Sequence, residues 1–251
     1  MLNPSQLFDL SGKRALVTGA RTGIGQQICV TLAAAGCDII GLGTSPMPET
    51  EKQVLALGKR FQFLELDLSS QNEITDVIKD IGFIDILVNN AGQISRDPFS
   101  SVELNDWNKI IQINLTAAFQ LGQSVANNMI KRDIKGRIIN ISSVLSEQGG
   151  SQVVPYVSSK HGITGLTRSM ANDLASFGIT VNALCPGYIE TANTEPLRQD
   201  AQRSEDILSR IPKGRWGKPH DLSTAILFLC SDFSDYVTGS SLFVDGGWSV
   251  R

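Results

Sequence analysis

Tyr156 and Lys160 stand four residues apart in Pro155-Tyr156-Val157-Ser158-Ser159-Lys160, a stretch whose pattern predicts a helix. That spacing places two side chains on one helical face. An ammonium beside a phenol favours the phenolate and lowers the tyrosine pKa. Such a pair can take a proton from an alcohol, or return one to a carbonyl oxygen, near neutral pH. The spacing alone is weak evidence, because Tyr-x-x-x-Lys arises by chance on many helices as a solvated pair. Asn114, between Ile113 and Leu115, puts a polar group into an apolar helix, where burial demands a hydrogen bond. His161 follows Lys160 one position round the helix and faces elsewhere, while His220 sits at the start of another helix. Neither histidine has the company of a metal site, so no metal is expected.

The elements that must position these residues alternate along the chain. Strands are expected at Arg14–Thr18, Asp38–Leu42, Phe61–Leu66, Ile84–Val88, Arg137–Ile141, Val181–Leu184 and Ser241–Val244. Helices are expected at Gly25–Ala35, from Pro48, and at Ser70–Asp80, Leu104–Lys131, Pro155–Phe177 and His220–Cys230. Repeated β-then-α units predict an α/β fold, a doubly wound parallel sheet of about seven strands with helices on both faces. No repeat or linker marks a second domain, so residues 1–251 read as one domain. Residues 187–217 break the alternation with Pro196, Pro212 and Gly214, yet Leu197, Ile207, Leu208 and Ile211 look helical and able to pack. A lid is the expected role for a long segment of that kind.

Thr18-Gly19-Ala20-Arg21-Thr22-Gly23-Ile24-Gly25 joins the first strand to the first helix. Glycines there permit a tight turn and close backbone approach to a pyrophosphate, and the helix N-terminus offers free N–H groups to its charge. Composition sets the outer bounds. Hydrophobic residues make up 41% and charged ones 19%, an ordinary globular balance. Against 25 acidic residues stand 22 basic ones, for a net charge of −3 and no basic cluster, so no nucleic-acid partner is expected. Cys29, Cys37, Cys185 and Cys230 are scattered without CxxC spacing, which fits a reducing compartment. Met1 to Arg14 lacks the apolar core of a signal peptide, and no apolar run is long enough for a bilayer. A cytoplasmic protein without a membrane partner is the expectation.

Taken together, the TGxxxGIG turn, Asn89-Asn90-Ala91-Gly92, Tyr156-x-x-x-Lys160, Pro186-Gly187 and Val244-Asp245-Gly246-Gly247 resemble the short-chain dehydrogenase/reductase family across essentially the whole chain. The resemblance implies a Rossmann-like sheet and an NAD(P)-dependent oxidoreductase acting on CH–OH groups. It implies catalytic roles for Asn114, Ser143, Tyr156 and Lys160. Ser143, thirteen residues before Tyr156, would hydrogen-bond the substrate oxygen, and Asn114 would hold a helix carbonyl and a water in the proton path. Cofactor contacts are implied from Gly19, Arg21, Thr22, Gly23, Ile24, Gly25, Gly43, Thr44, Asp67 and Leu68. Further contacts are implied from Asn90, Ala91, Gly92, Tyr156, Lys160, Pro186, Gly187, Ile189 and Thr191. Asp67 resembles the aspartate that meets the adenine amino group, with capping of a helix at Ser70 as the alternative. Gly43-Thr44-Ser45 stands where an acid would bind the adenosine ribose, and carries neither the aspartate that favours NAD nor the arginine that favours NADP. Two hydroxyls with Arg21 could receive a 2′-phosphate, so NAD and NADP both stay open, with the nearest subgroup pointing to NAD.

Residues 186–217 and the ending Gly246-Gly247-Trp248 resemble, within that family, dehydrogenases of sugar acids of the 2-deoxy-D-gluconate or 2-keto-3-deoxygluconate type. A small polyhydroxy acid needs a cationic partner, for which Arg96, Arg198 and Arg203 are candidates, alongside Gln152, Ser143 and Tyr156. Ser95 and Gln152 stand where the subgroup tends to carry arginines, which keeps a neutral polyol or sugar open. Other readings are a gluconate or polyol dehydrogenase, or a 3-oxoacyl-carrier-protein reductase docking its carrier on Lys131, Arg132 and Lys135. A non-catalytic dinucleotide sensor is a different class, disfavoured by the intact set of reacting residues. The resemblance also implies a homotetramer built on the two long helices and the C-terminal strand.

Overall fold

Short runs rich in Val, Ile and Leu form strands covered on both sides, and their order in the sheet decides where chemistry can sit. The structure, a computed structural model, describes residues 6–70, 74, 78 and 81–251. The strands are β1 (Arg14–Thr18), β2 (Asp38–Gly43), β3 (Phe61–Glu65), β4 (Ile86–Asn89), β5 (Arg137–Ile141), β6 (Thr180–Pro186) and β7 (Ser241–Val244). They make one seven-stranded sheet in the order β3-β2-β1-β4-β5-β6-β7, with every neighbouring pair parallel. The helices are α1 (Gly23–Ala34), α2 (Pro48–Ala56), α3 (Leu104–Ile111), α4 (Ala117–Lys131), α5 (Val154–Leu174), α6 (Glu195–Gln199), α7 (Ala201–Arg210) and α8 (Ser223–Cys230).

Alternation along each strand feeds two cores. Ala15, Val17, Ile39, Ile86 and Val88 pack with Ile28 and Leu32 of α1 and Ile226 and Leu229 of α8. Leu16, Ile40, Leu87 and Ile138 point the other way, against Leu121, Val125 and Met129 of α4. Each fully buried side chain of this kind contributes about 1.5–3 kcal/mol. A polar seam crosses the second layer: Asn89 Nδ2 donates to Asn140 Oδ1 at 2.8 Å, and Asn140 Nδ2 to Thr167 Oγ1 at 2.9 Å. That seam ties β4 and β5 to α5, the helix bearing Tyr156 and Lys160.

Several expectations shift in detail. β4 begins at Ile86 rather than Ile84, because Asp85 turns its carboxylate to the Arg14 N–H at 2.8 Å before ladder pairing starts. The helix expected over Ser70–Asp80 lies mostly outside the described residues, though Ile74 and Ile78 are helical and buried. The expected continuous helix Leu104–Lys131 is broken by a π turn at Gln112–Thr116. Such a turn widens the helix and recurs at functional sites. Here it accompanies long-range bonds, with Gln112 Nε2 reaching the Leu68 carbonyl at 3.2 Å.

Residues 187–217 do carry helix, in α6 and α7, and a bridge between Ile189 and Gly217 closes the base of the segment. Ile207, Ile211 and Trp216 bury against Val144 and Trp248 in a third apolar cluster. Among the described residues, no helix is long and apolar enough to cross a membrane.

Candidate active site

The chain runs outward from β1 to β2 and β3, then returns to β4 on the other side of β1. Parallel sheets open a crevice at such a switch point, at the C-terminal ends of the strands. Thr18 ends β1 and stitches the crevice shut at its base: its Oγ1 accepts from the Asn90 and Ala91 N–H groups at 2.9 and 2.8 Å. Asn90 Nδ2 returns bonds to the Thr18 and Gly19 carbonyls at 2.9 and 3.2 Å. Gly19 and Gly23 take positive φ, 64° and 60°. At Gly25 a Cβ would lie 2.2 Å from the Gly19 carbonyl oxygen, so only glycine closes this turn. Thr22 caps α1 without a side-chain bond, and no acid occupies the first turn, which leaves its N–H groups facing the crevice.

Two clefts, of about 320 and 250 Å³, meet along this turn and share Gly19, Thr22, Ala91 and Gly92. The first runs over Gly23, Ile24, Gly25, Ser143, Tyr156, Lys160, Pro186, Gly187, Ile189 and Thr191. The second runs over Arg21, Gly43, Thr44, Ser45, Asp67, Leu68 and Met47. The nineteen cofactor positions expected from sequence all line one or other of these two adjoining clefts. A dinucleotide fits that shape: the missing Cβ at Gly25 and the open helix start suit a pyrophosphate, with one nucleoside to each side. Asp67 lines the second cleft, and its Oδ1 accepts from the Ser69 N–H at 2.9 Å. That bond is the main cause holding its carboxyl below the usual range.

The reacting side chains come from three elements. Lys160 is buried, and its Nζ donates to the Ile141 carbonyl at the end of β5, at 2.7 Å. Burial pushes its pKa down to about 8. Tyr156, half-buried, presents its ring 5.5 Å from that ammonium. Burial raises the phenol, against the expectation of a lowered value, and the Ser143 hydroxyl and Arg96 pull it back only in part. Loss of water around the buried phenol is the largest cause, and it disfavours the phenolate. Ser143 caps a short 3₁₀ turn, where its Oγ accepts from the Leu145 N–H at 3.1 Å and keeps its own proton free to donate.

Asn114 sits in the π turn and is fully engaged. Its Oδ1 accepts from the Gln93 N–H at 2.8 Å, and its Nδ2 donates to the Gln93 carbonyl at 2.9 Å and to Ser159 Oγ at 3.0 Å. Ser159 in turn donates to the Tyr156 carbonyl at 2.7 Å. The carbonyl it holds therefore belongs to the loop after β4, not to a helix.

The substrate candidates separate. Arg96 Nη2 donates to the Asn193 carbonyl at 2.8 Å, so it bridges the loop after β4 to segment 187–217. Arg198 reaches the Thr191 carbonyl at 3.4 Å. Arg203 and Gln152 are exposed and line neither cleft. Gln152 does hold a left-handed backbone, φ 64°, while its carbonyl accepts from the Asp97 N–H at 2.9 Å. Sequence reasoning passed over Thr18, Ser159 and the cleft-lining Ala192, Asn193 and Thr194. For Thr18 the available signal was a hydroxyl closing β1 immediately before the glycine turn.

Residues 13–202 match the short chain dehydrogenase family. Over 248 residues the chain is 48% identical to the 2-dehydro-3-deoxy-D-gluconate 5-dehydrogenase of Escherichia coli (strain K12), covering 97% of this chain and 98% of that protein. It is 49% identical over 248 residues to the enzyme of the same name from Bacillus subtilis (strain 168), covering 97% of each. A gluconate 5-dehydrogenase from Burkholderia cenocepacia J2315, solved in complex with NADP and tartrate, superposes with a TM-score of 0.94 at 37% identity, covering 99% of this chain and 100% of that one. The chain belongs to the short-chain dehydrogenase family. It is an NAD(P)-dependent oxidoreductase acting on CH–OH groups.

Proposed function

We propose that this chain interconverts the secondary alcohol and the ketone of a small sugar acid, of the 2-deoxy-D-gluconate or 2-keto-3-deoxygluconate type. The observation that carries the reading is the Arg96–Asn193 bridge, which sets a guanidinium beside the cleft that Tyr156 lines. End-to-end likeness to two enzymes named for such an acid supports it.

The nicotinamide, when bound, supplies or accepts the hydride. Tyr156 gives a proton to the substrate oxygen during reduction and takes it back during oxidation, and Ser143 donates a hydrogen bond to the same oxygen. Lys160, anchored on Ile141, keeps positive charge behind the phenol and can also hold ribose hydroxyls. Asn114 keeps the Gln93 loop and α5 in register through Gln93 and Ser159. The glycine turn with Asn90 holds the pyrophosphate side, while Pro186, Gly187, Ile189 and Thr191 hold the nicotinamide side. Residues 187–217 serve as a lid within a single domain, working in the cytoplasm as a homotetramer.

The experiment is a panel of aldonates, deoxyaldonates, polyols and keto-deoxy acids with NAD⁺ or NADP⁺ (or their reduced forms), plus acetoacetyl thioester, read at the reduced-nicotinamide absorbance. Turnover of sugar acids is expected. Turnover of the thioester alone would overturn the reading in favour of a carrier-protein reductase, and tight dinucleotide binding without any turnover would favour a sensor.

A further inference from the structure

The turn after β7 touches three parts of the site, while its Trp248 lines neither catalytic cleft. Gly246 and Gly247 take positive φ, 65° and 90°, and turn the chain toward Ile211 and Pro212. Asp245 holds that reversal, its carboxylate accepting from the Gly247 and Ser249 N–H groups at 2.9 and 2.8 Å. A Cβ at Gly247 would lie 3.0 Å from Pro212 Cγ, and the Gly246 carbonyl accepts from the Lys213 N–H at 3.0 Å. The turn is thereby fastened to the far end of segment 187–217. It delivers Trp248 into the third apolar cluster, buried beside Ile207, Ile211 and Val144.

Trp248 meets three elements there. The Arg210 guanidinium, from the last turn of α7, stacks on its ring at 4.0 Å. Tyr188, between the cleft-lining Gly187 and Ile189, lies tilted against it with ring centroids 4.6 Å apart. Its one polar side-chain atom, Nε1, donates to Gln148 Oε1 at 2.9 Å. Gln148 follows the 3₁₀ turn Val144–Ser146 that Ser143 caps. Any large ring could fill the cluster, whereas an indole N–H directed at a side-chain acceptor fixes an orientation. That bond ties the side of the cleft that carries Ser143 to the side formed by segment 187–217.

We propose that Trp248 is a positioning residue that couples segment 187–217 to the Ser143 turn through its hydrogen bond to Gln148. The assignment rests on the roles given above to Ser143 and to the lid, and deepens them. The closed position of the lid and the direction in which Ser143 donates to the substrate oxygen are then set together, by a side chain that touches no reacting atom.

The test uses the purified full chain with Trp248→Phe, which keeps a ring, with Gln148→Leu, with both, and with Gln148→Glu, which keeps an acceptor. Turnover of the sugar acids above is measured beside amide hydrogen exchange of the NADP⁺-saturated protein. Trp248→Phe and Gln148→Leu should each lower kcat about fivefold, as expected for one neutral hydrogen bond, with the double variant no lower than either. NADP⁺ affinity should stay within about twofold, because the glycine turn that binds the pyrophosphate is untouched, and Gln148→Glu should keep kcat within about twofold. Gln148→Leu lies outside the lid, yet amide exchange in α7 should quicken about fivefold. Single losses that multiply in the double variant, equal losses in Gln148→Leu and Gln148→Glu, or faster exchange confined to residues 144–150 would overturn the coupling while leaving sugar-acid turnover by the unaltered enzyme intact. Absence of that turnover in the unaltered enzyme overturns the parent reading, and exchange in α7 then decides the coupling by itself.

Discussion

Lys160 Nζ and the Ile141 carbonyl form a 2.7 Å hydrogen bond that pins the ammonium to the end of β5, beside Ser142 and Ser143. The Ser142 and Thr164 hydroxyls both donate to the Lys160 carbonyl at 3.3 Å, so side chain and backbone of this residue are held together. Such anchoring explains how Lys160 stays buried near a phenol with no acidic partner among the described residues. Desolvation is the cost, and it brings the titration down from 10.5 to about 8.

A pH dependence follows with a definite sign. Below about pH 8 the Lys160 ammonium is present, and above it the amine becomes neutral. Carbonyl reduction needs a protonated Tyr156 backed by that charge, so log kcat/KM should hold on the acid side and fall as pH rises through about 8. Lys160→Met should lower the rate about 100-fold and abolish the break. A break that persists at the same pH in the Met variant would assign the titration to another group.

Tyr156→Phe removes one oxygen and little volume. Its effect should fall on chemistry, with kcat lower by roughly 10²–10⁴-fold and dinucleotide affinity unchanged within about threefold. Single-turnover kinetics beside a fluorescence titration of the dinucleotide separate the two. Activity near the unaltered level would remove Tyr156 from the proton transfer.

How much of this was legible beforehand depends on the distance over which each residue acts. Tyr156, Lys160 and the glycine turn carry signals within a few positions, and the groove gathers them as expected. Asn114 was legible as an asparagine needing a partner, but not the π turn around it, since helical periodicity does not register one added residue. Thr18 was silent because the N–H groups it accepts lie 72 and 73 residues away. The three candidate arginines were equivalent in sequence, and only folding bonded Arg96 to Asn193 while leaving Arg203 in solvent. The direction of the Tyr156 shift was missed for a related reason: the lysine is visible four residues away, whereas burial is a property of the whole fold.

Gly25→Ala tests the cradle. The added Cβ would meet the Gly19 carbonyl oxygen at 2.2 Å and Asn90 Nδ2 at 2.5 Å, and backbone cannot yield as a side-chain tip can. Overpacking of this sort costs about 1–3 kcal/mol. Dinucleotide binding should weaken by at least about tenfold, since the turn must open at the point of pyrophosphate contact. Full affinity in calorimetry, with an unaltered melting temperature, would place the pyrophosphate elsewhere.

Cofactor choice turns on the end of β2, where Gly43, Thr44 and Ser45 line the second cleft together with Arg21. None of these three carries a negative charge, so nothing there repels a 2′-phosphate, and Arg21 supplies attraction. Thr44→Asp puts a carboxylate at this rim. Two like charges about 4–5 Å apart at an effective dielectric near 20 repel by about 3–4 kcal/mol before screening. Allowing for salt, NADP affinity should fall by about tenfold or more, while NAD, whose ribose 2′-hydroxyl can donate to the new acid, should bind equally well or better. Arg21→Ala should weaken NADP alone. Dissociation constants for both dinucleotides across the three proteins decide the matter: parallel losses for NAD and NADP in Thr44→Asp would mean that the adenosine ribose does not lie at the end of β2.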